Sequence, residues 1–340
     1  MKKSLLLAIG LMMLTASYPV VAAEKNVTVY AARFTDAEKQ LYAEFQEKTG
    51  ITVTVVSGKA KELMDRMGQE GADTQADLFA VVDGGILQRA KQNGLTQAIP
   101  AGAVTGNIPA SLRDKENHWV SLSTRARVIV YSKERVTEKD LSTYEALADP
   151  KWKGKIVMRP GSALYNQSFL ASMVALDGPE KTAAFVEGLV ANFARPPKGG
   201  DRGQAQDIAA GVADLTLMNT YYIGRMLAST KPEEVETAKK VGVFFPNQKT
   251  TGTHINVNGI ALVRNAKNRD NAVKLLEFLT GAEAQERLAT TTYEFPANPK
   301  AKKPALLESW GAFTVQAIDF AVLDANAKAA ASIAAENGWE

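Results

Sequence analysis

Two long extended runs constrain the fold of this chain more than any other feature. Residues 119–131 and 254–263 are largely apolar and rich in β-branched side chains. The first run is much longer than the usual strand of about 5–6 residues. We therefore predict that it leaves one lobe and enters another, and that the second run makes the return crossing. Two crossings imply that one lobe is built from the start of the chain plus a later segment.

The first part of the chain alternates strand and helix patterns. A β-branched run at 26–32 is followed by Thr35-Asp36-Ala37-Glu38, which has the form of a helix capping box. Further strand patterns follow at 51–56 and 76–82, with a helical pattern between them. This alternation predicts βαβ units, an α/β fold and a mainly parallel sheet. Later we expect a strand at 155–159 and a helical, alanine-rich segment at 304–335.

The chain has 340 residues, which exceeds what one hydrophobic core usually supports. We therefore predict two lobes with an interlobe cleft, since pockets favour domain interfaces. Hinge strands are expected near 122–130 and 252–263. The predicted division is a signal peptide at 1–23, an N-terminal lobe of 24–123 plus 262–303, and a C-terminal lobe of 124–261 plus 304–340.

The N-terminus has the pattern of a secretory signal peptide. Lys2 and Lys3 precede a short apolar stretch, and Val21-Ala22-Ala23 offers the small residues of a cleavage site. We expect export through this segment and no membrane insertion of the mature chain, because no later stretch has the length of a membrane span.

Composition excludes several classes of function. Cysteine is absent, so thiolate metal sites and thiol catalysis are ruled out. Only His118 and His254 are present, which excludes a histidine-rich zinc or copper site. The 40 basic and 37 acidic residues nearly balance, which gives no reason to expect nucleic acid as a partner.

Five residues at predicted strand ends point to a metal and an anion. They are two arginines and three tyrosines, namely Arg33, Arg125, Tyr165, Tyr221 and Tyr222. Phenolate oxygens are hard anionic ligands that suit a trivalent cation, and three of them would neutralise Fe³⁺. The planar guanidinium fork matches small oxyanions such as carbonate.

Other interpretations fit the same residues. Each tyrosine taken alone is typical of a core or rim aromatic, and each arginine of a surface ion pair. The same fold could bind a metal-free anion such as a phosphonate or sulfate through the arginines. A polyamine site could use Asp36, Asp77 and Asp83, which lie near predicted strand ends. An extracytoplasmic enzyme is a further alternative, although no nucleophile–base pair is visible.

Several segments in order resemble the periplasmic ferric-iron-binding proteins of bacterial iron transporters. The similarity is densest at 124–133, 148–155, 165–166, 201–204 and 219–224. The resemblance implies the two-lobed, class II periplasmic-binding-protein fold. It also implies ferric iron as bound cargo, delivery to the membrane permease of an ABC importer, a periplasmic location and a monomer without catalytic activity.

Matched by position, the three tyrosines correspond to the family's iron ligands. Arg33 corresponds to an arginine that contacts a synergistic anion, for which carbonate or bicarbonate is the candidate. Many members have His or His-Tyr directly after that arginine, where this chain has Phe34 and Thr35. The departure favours the three-tyrosine subgroup, in which the first lobe contributes mainly through an anion. Arg125 is the second expected anion contact, with Arg127 as its alternative on the same face of the strand.

Overall fold

The protein is described by a computed structural model that covers residues 25–340. The predicted signal peptide at 1–23 lies outside these residues, and the predicted N-terminal lobe begins one residue before them. The strands are β1 (Asn26–Ala31), β2 (Thr52–Ser57), β3 (Leu78–Val81), β4 (Thr96–Gln97), β5 (Trp119–Ser132), β6 (Leu215–Asn219), β7 (Val241–Phe244), β8 (Ile255–Val263) and β9 (Phe295–Pro296).

Helices and short 3₁₀ turns connect these strands. The α-helices are α1 (Asp36–Thr49), α2 (Ala60–Glu70), α3 (Gly84–Gln92), α4 (Gly102–Asn107), α5 (Leu164–Asp177), α6 (Pro179–Ala191), α7 (Asp201–Ala209), α8 (Thr220–Leu227), α9 (Pro232–Lys240), α10 (Arg269–Thr280), α11 (Ala282–Thr292), α12 (Ala305–Ser309), α13 (Ala321–Ala325) and α14 (Ala327–Glu336). Among the residues described, no helix has the length and apolar character needed to cross a membrane.

The predicted βαβ start of the chain is confirmed. Strand β1 pairs in parallel with β2 and with β3. Helix α1 begins after Thr35, whose backbone N–H donates to the Glu38 carboxylate over 3.0 Å, and it ends at Gly50 with φ 69°. Leu41 and Phe45 of this helix are buried in the core. The capping box and the apolar spacing therefore determine this helix locally.

The sheet is mixed rather than mainly parallel. Its main order is β2-β1-β3-β8-β5-β6, and β8 is antiparallel to both β3 and β5. The parallel prediction is correct for β1, β2 and β3 only. It fails beyond them because β5 and β8 cross the molecule side by side in opposite directions.

Strand β5 changes partners part-way along its length. From Trp119 to Ala126 it pairs with β8, and from Arg127 to Tyr131 it pairs with β6. Every position of β5 and β8 is buried. Burial on both faces explains why these two strands are long and mostly apolar in sequence. Both predicted extended runs are confirmed as strands.

Residues 155–159 do not form the predicted strand. Only Ile156 makes isolated bridges, to Phe193 and to Leu215. The backbone groups of this run bind three separate segments: Ile156 N–H donates to Asn192, Val157 N–H donates to Leu215, and the Met158 carbonyl accepts from Lys198. No single partner strand is therefore available for a ladder.

The alanine-rich segment at 304–335 is not one helix. An irregular stretch at 310–320 separates α12 from α13, and Asn326 separates α13 from α14. This stretch is held by backbone hydrogen bonds between Thr253 and residues Thr314 and Gln316. Phe320 packs edge-on against Trp119, and Arg89 on α3 forms an ion pair with Asp324 on α13. Tertiary contacts replace the local helical hydrogen bonds here.

Candidate functional site

The three predicted tyrosines lie in the first turns of two helices. Tyr165 is the second residue of α5, and Tyr221 and Tyr222 open α8 directly after β6. The Tyr221 and Tyr222 rings stack with centroids 4.1 Å apart. Consecutive side chains would point to opposite faces of a strand, but they diverge by only about 100° on a helix. The change from strand to helix therefore lets both phenols face the same region.

Arg125 on β5 lies between the two groups of tyrosines. Its guanidinium carbon is 5.8 Å from the centre of the Tyr165 ring and 5.7 Å from that of Tyr221. Its Nη1 donates to the Tyr165 hydroxyl over 3.3 Å. The side chain is fully buried. Four of the five predicted site residues are thus in one cluster.

Burial and mutual repulsion oppose ionisation of the paired tyrosines. Burial raises the pKa of Tyr221, negative charge on Tyr165 or Tyr222 would raise it further, and Arg125 lowers it. Burial also raises the pKa of Tyr222, as does the Asp201 carboxylate. Both are therefore neutral phenols at neutral pH unless a strong cation is present. This arrangement suits a trivalent metal, whose charge can displace the phenolic protons.

Arg33 joins the cluster through a carboxylate that the sequence analysis did not identify. Glu294 accepts from Arg33 Nη1 at 2.5 Å and from Arg125 Nη2 at 3.2 Å. Ser123 also donates to Glu294. Burial opposes ionisation of Glu294, but Arg125 and Arg33 outweigh it and lower the pKa of the carboxyl. We refer to Arg33, Glu294 and Arg125 as the anion-side triad.

A second triad lies on the other side of the tyrosines. Asp201, the first residue of α7, accepts from Arg127 Nη1 at 2.8 Å and from Arg159 Nη1 at 2.5 Å. The Arg159 guanidinium carbon is 5.6 Å from the centre of the Tyr165 ring. Arg127 also donates to Asn166 on α5 over 2.5 Å. We refer to Arg127, Asp201 and Arg159 as the scaffold triad.

The two triads distinguish the two arginines that the sequence left as alternatives. Arg125 contacts the tyrosines, whereas Arg127 is held by Asp201 and Asn166. No local pattern pointed to Glu294, because it is 169 positions from Arg125 in the chain. Asp201 lies inside a segment that resembles the ferric-binding family, but neither it nor Arg159 has a sequence pattern that indicates its partners.

Phe34 and Thr35 make local contacts. Phe34 is 37% exposed and stacks on Tyr42 with centroids 5.7 Å apart. Thr35 is the N-cap of α1 and bonds to Glu38. These contacts are the ordinary ones of a helix entrance.

The two histidines have structural partners. His118 Nδ1 lies 2.8 Å from the Thr96 hydroxyl oxygen, and buried His254 Nδ1 lies 3.0 Å from Gln316 Oε1. Burial lowers the pKa of His254 to about 4.

Two of the acidic residues considered for a polyamine are committed to structural hydrogen bonds. Asp77 accepts from the backbone N–H groups of Thr28 and Asn268. Asp83 caps α3 and accepts from Asn256 and Ser168. Over residues 25–340 there is also no group of three or more acidic, histidine or cysteine side chains placed to hold a metal. The tyrosine cluster is the candidate metal centre, because its phenol oxygens are hard ligands that suit a trivalent cation.

Comparison with known proteins decides the family. Residues 40–315 match the model of the bacterial extracellular solute-binding protein family. The chain belongs to this family. The chain is also similar to Iron uptake protein A1 of Synechocystis sp. (strain ATCC 27184 / PCC 6803 / Kazusa), with 42% identity over 317 residues that cover 93% of this chain and 88% of the relative.

Solved structures with the same fold confirm the predicted fold class. A Trichodesmium protein (IdiA, FutA), solved in complex with iron and citrate ligands, has a TM-score of 0.88 and 40% identity, covering 93% of this chain and all of its own. The ferric binding protein from Campylobacter jejuni has a TM-score of 0.86 and 38% identity, covering 92% of this chain and all of its own. The predicted resemblance to ferric-binding proteins is thereby confirmed.

Proposed function

We propose that this protein binds ferric iron in the periplasm and delivers it to the membrane permease of an ABC importer. Tyr165, Tyr221 and Tyr222 would supply phenolate ligands to the ion. Arg33 and Arg125 would hold a synergistic oxyanion, with carbonate or bicarbonate as the candidate. The protein would act as a monomer and without catalysis. The names of its relatives, which describe iron uptake and ferric binding, support this proposal.

The observation that carries the proposal is the cluster itself. Two phenols from two helix starts, Tyr165 and Tyr221, flank buried Arg125, and the third, Tyr222, stacks on Tyr221. Three phenolates would cancel the charge of Fe³⁺ and leave coordination positions for an anion. Packing alone does not require an arginine side chain to be buried between two tyrosine rings, because burying a charge is costly.

The predicted lobes, 24–123 plus 262–303 and 124–261 plus 304–340, imply how the ion would be enclosed. All three tyrosines belong to the second lobe, and Arg33 belongs to the first. The ion would therefore load onto the second lobe. Closure would then bring the first lobe, with Arg33, over the metal and its anion and exclude water.

The test is to add ferric iron to purified apoprotein and record the visible spectrum. We expect a phenolate-to-iron charge-transfer band that is lost in the double variant Tyr221→Phe, Tyr222→Phe. Tyr131→Phe is a matched control, because its hydroxyl bonds to Glu138 in a partly exposed region outside the cluster. Wild-type protein that stays colourless and does not retain iron would overturn the proposal.

The arginines also fit a metal-free oxyanion, which is the competing function. In that case Arg33→Ala would abolish binding of the anion in iron-free buffer, and Tyr165→Phe would bind as well as wild type. Under the ferric proposal, Tyr165→Phe instead weakens iron binding and alters the visible band.

A further inference from the structure

The two anion-side arginines have hydrogen-bond donors to spare. Glu294 engages Nη1 of Arg33 and Nη2 of Arg125. Nη2 of Arg33 and Nε of Arg125 are buried, and neither has a partner among residues 25–340. A buried guanidinium N–H that lacks a partner carries a desolvation cost, so an unfilled donor of this kind indicates a missing acceptor. The two arginines that carry these free donors share one carboxylate, that of Glu294, through their other nitrogens.

The three members of the anion-side triad come from distant parts of the chain. Arg33 follows β1, Arg125 lies on β5, and Glu294 precedes β9. Strand β9 pairs with β5 at Ser123 and Thr124, which brings Glu294 beside β5. The Ser123 hydroxyl then fixes one oxygen of the carboxylate. The position of Glu294 is therefore set by the sheet and not by the arginines alone.

We propose that Glu294 is the positioning residue of the anion site. Its carboxylate holds the two guanidiniums together against their mutual repulsion, so that their free donors form a ready clamp for a small oxyanion. This inference rests on the proposed function, because the anion acts beside the metal. Glu294 itself touches neither the anion nor the iron.

Charge explains why a carboxylate is needed at this point. Two guanidiniums that both contact one oxyanion repel each other while the anion is absent. Glu294 leaves the triad with a net charge of +1 and retains attraction for an anion. A neutral glutamine at 294 has one acceptor oxygen and an NH₂ group that would face a guanidinium, so one arginine would be released.

The experiment compares ferric affinity with and without added bicarbonate, by competition with EDTA, in wild type and in Glu294→Gln. The anion assistance is the ratio of the two affinities. We expect this ratio to fall about tenfold in the variant, since one charge-assisted hydrogen bond is lost. We also expect a spectroscopic sign: the shift of the visible band when bicarbonate is replaced by oxalate should shrink.

A milder variant allows the same test if Glu294→Gln fails to fold. Ser123→Ala removes one hydrogen bond to Glu294 but leaves the carboxylate in place. We expect this variant also to lower the ratio of the two ferric affinities, but only about threefold, because the carboxylate is retained. Glu44→Gln is the matched control, because Glu44 also lies between two cations, Lys48 and Arg287, but both of these cations are about half exposed. It should leave the ratio unchanged.

The outcomes separate the two proposals. Wild type that binds no iron would overturn the proposed function. Wild type that binds iron with anion assistance, together with folded Glu294→Gln and Ser123→Ala proteins that keep the full ratio, would overturn only the role of Glu294. A lower iron affinity with an unchanged ratio would also contradict it, because a purely structural defect acts equally with and without bicarbonate.

Discussion

Arg125 and Arg127 stand two residues apart on β5, and both are buried against a carboxylate. Arg125 pairs with Glu294 and reaches the rings of Tyr165 and Tyr221. Arg127 pairs with Asp201, donates to Asn166, and accepts at its backbone carbonyl from the Tyr144 hydroxyl. The difference follows from β5, which leaves its β8 pairing and begins its β6 pairing between these two positions.

Burial and an ion pair do not by themselves distinguish the two arginines. Arg125 lies against the tyrosines, and its buried Nε has no partner within residues 25–340. The buried Nε of Arg127 also lacks a partner in this part of the chain, but its other two nitrogens tie β5 to α7 and α5. We expect substitutions on the Arg127 side to change stability, and those on the Arg125 side to change ligand binding.

The largest effect is expected at Asp201. Asp201→Asn leaves buried Arg127 without a counter-charge and loosens Arg159. Breaking a buried ion pair in this way typically costs about 3–5 kcal/mol of the free energy of unfolding. Urea denaturation followed by circular dichroism measures the loss.

Asp207→Asn is the control for that measurement. Asp207 lies on the same helix and pairs with Arg195, but both side chains are partly exposed. We expect its loss to be within about 1 kcal/mol. Equal losses in the two variants would contradict the structural role assigned to the scaffold triad.

A smaller effect is expected from pH. His254 is next to the scaffold side of β5, because the backbone N–H of Arg127 donates to the backbone carbonyl of His254. Burial lowers the pKa of the His254 imidazole from 6.5 to about 4 in the folded protein. As pH falls below 6.5 the unfolded chain takes up a proton before the folded protein does. Stability is therefore lost between about pH 6.5 and pH 4, by roughly 2–3 kcal/mol.

Unfolding free energies of wild type and His254→Gln at pH 7 and pH 4.5 check this expectation. Between pH 7 and pH 4.5 the free energy of unfolding should fall less in the variant than in wild type, by roughly 2–3 kcal/mol. His118→Gln serves as the comparison, since His118 is partly exposed and should contribute less. Parallel pH profiles for wild type and His254→Gln would show that His254 is not the group responsible.

The smallest effect separates the two arginines directly. Arg125→Lys should weaken ferric binding in bicarbonate about tenfold, about 1.4 kcal/mol, because an ammonium cannot contact Glu294 and an oxyanion with a planar fork. Arg127→Lys should keep ferric affinity within about twofold while its urea midpoint falls. Iron titrations of both folded variants, with EDTA as competitor, measure the difference. A reversed pattern would assign the anion contact to Arg127.

The sequence itself determined much of the secondary structure, and it pointed to tyrosines and an arginine that the fold brings close together. The capping box at Thr35 and Glu38, the β-branched run of β1 and the length of β5 depend on local chemistry, so they could be predicted. The pair Tyr221-Tyr222 could be found because a strand end is an unusual place for two adjacent phenols. Local patterns failed at 155–159 and 310–320, where backbone groups bind to distant segments.

Only the tertiary structure decided how the charged residues are paired. The sequence left Arg125 and Arg127 as alternatives on one face of a strand, since spacing cannot show which carboxylate each will meet. Glu294 and Asp201 reach β5 from distant parts of the chain, through β9 and α7. Periodicity indicates which face of a helix or strand is buried, because apolar side chains recur on that face at the spacing of the element. The partner of a buried charge depends on contacts between remote segments, which only the folded sheet brings together.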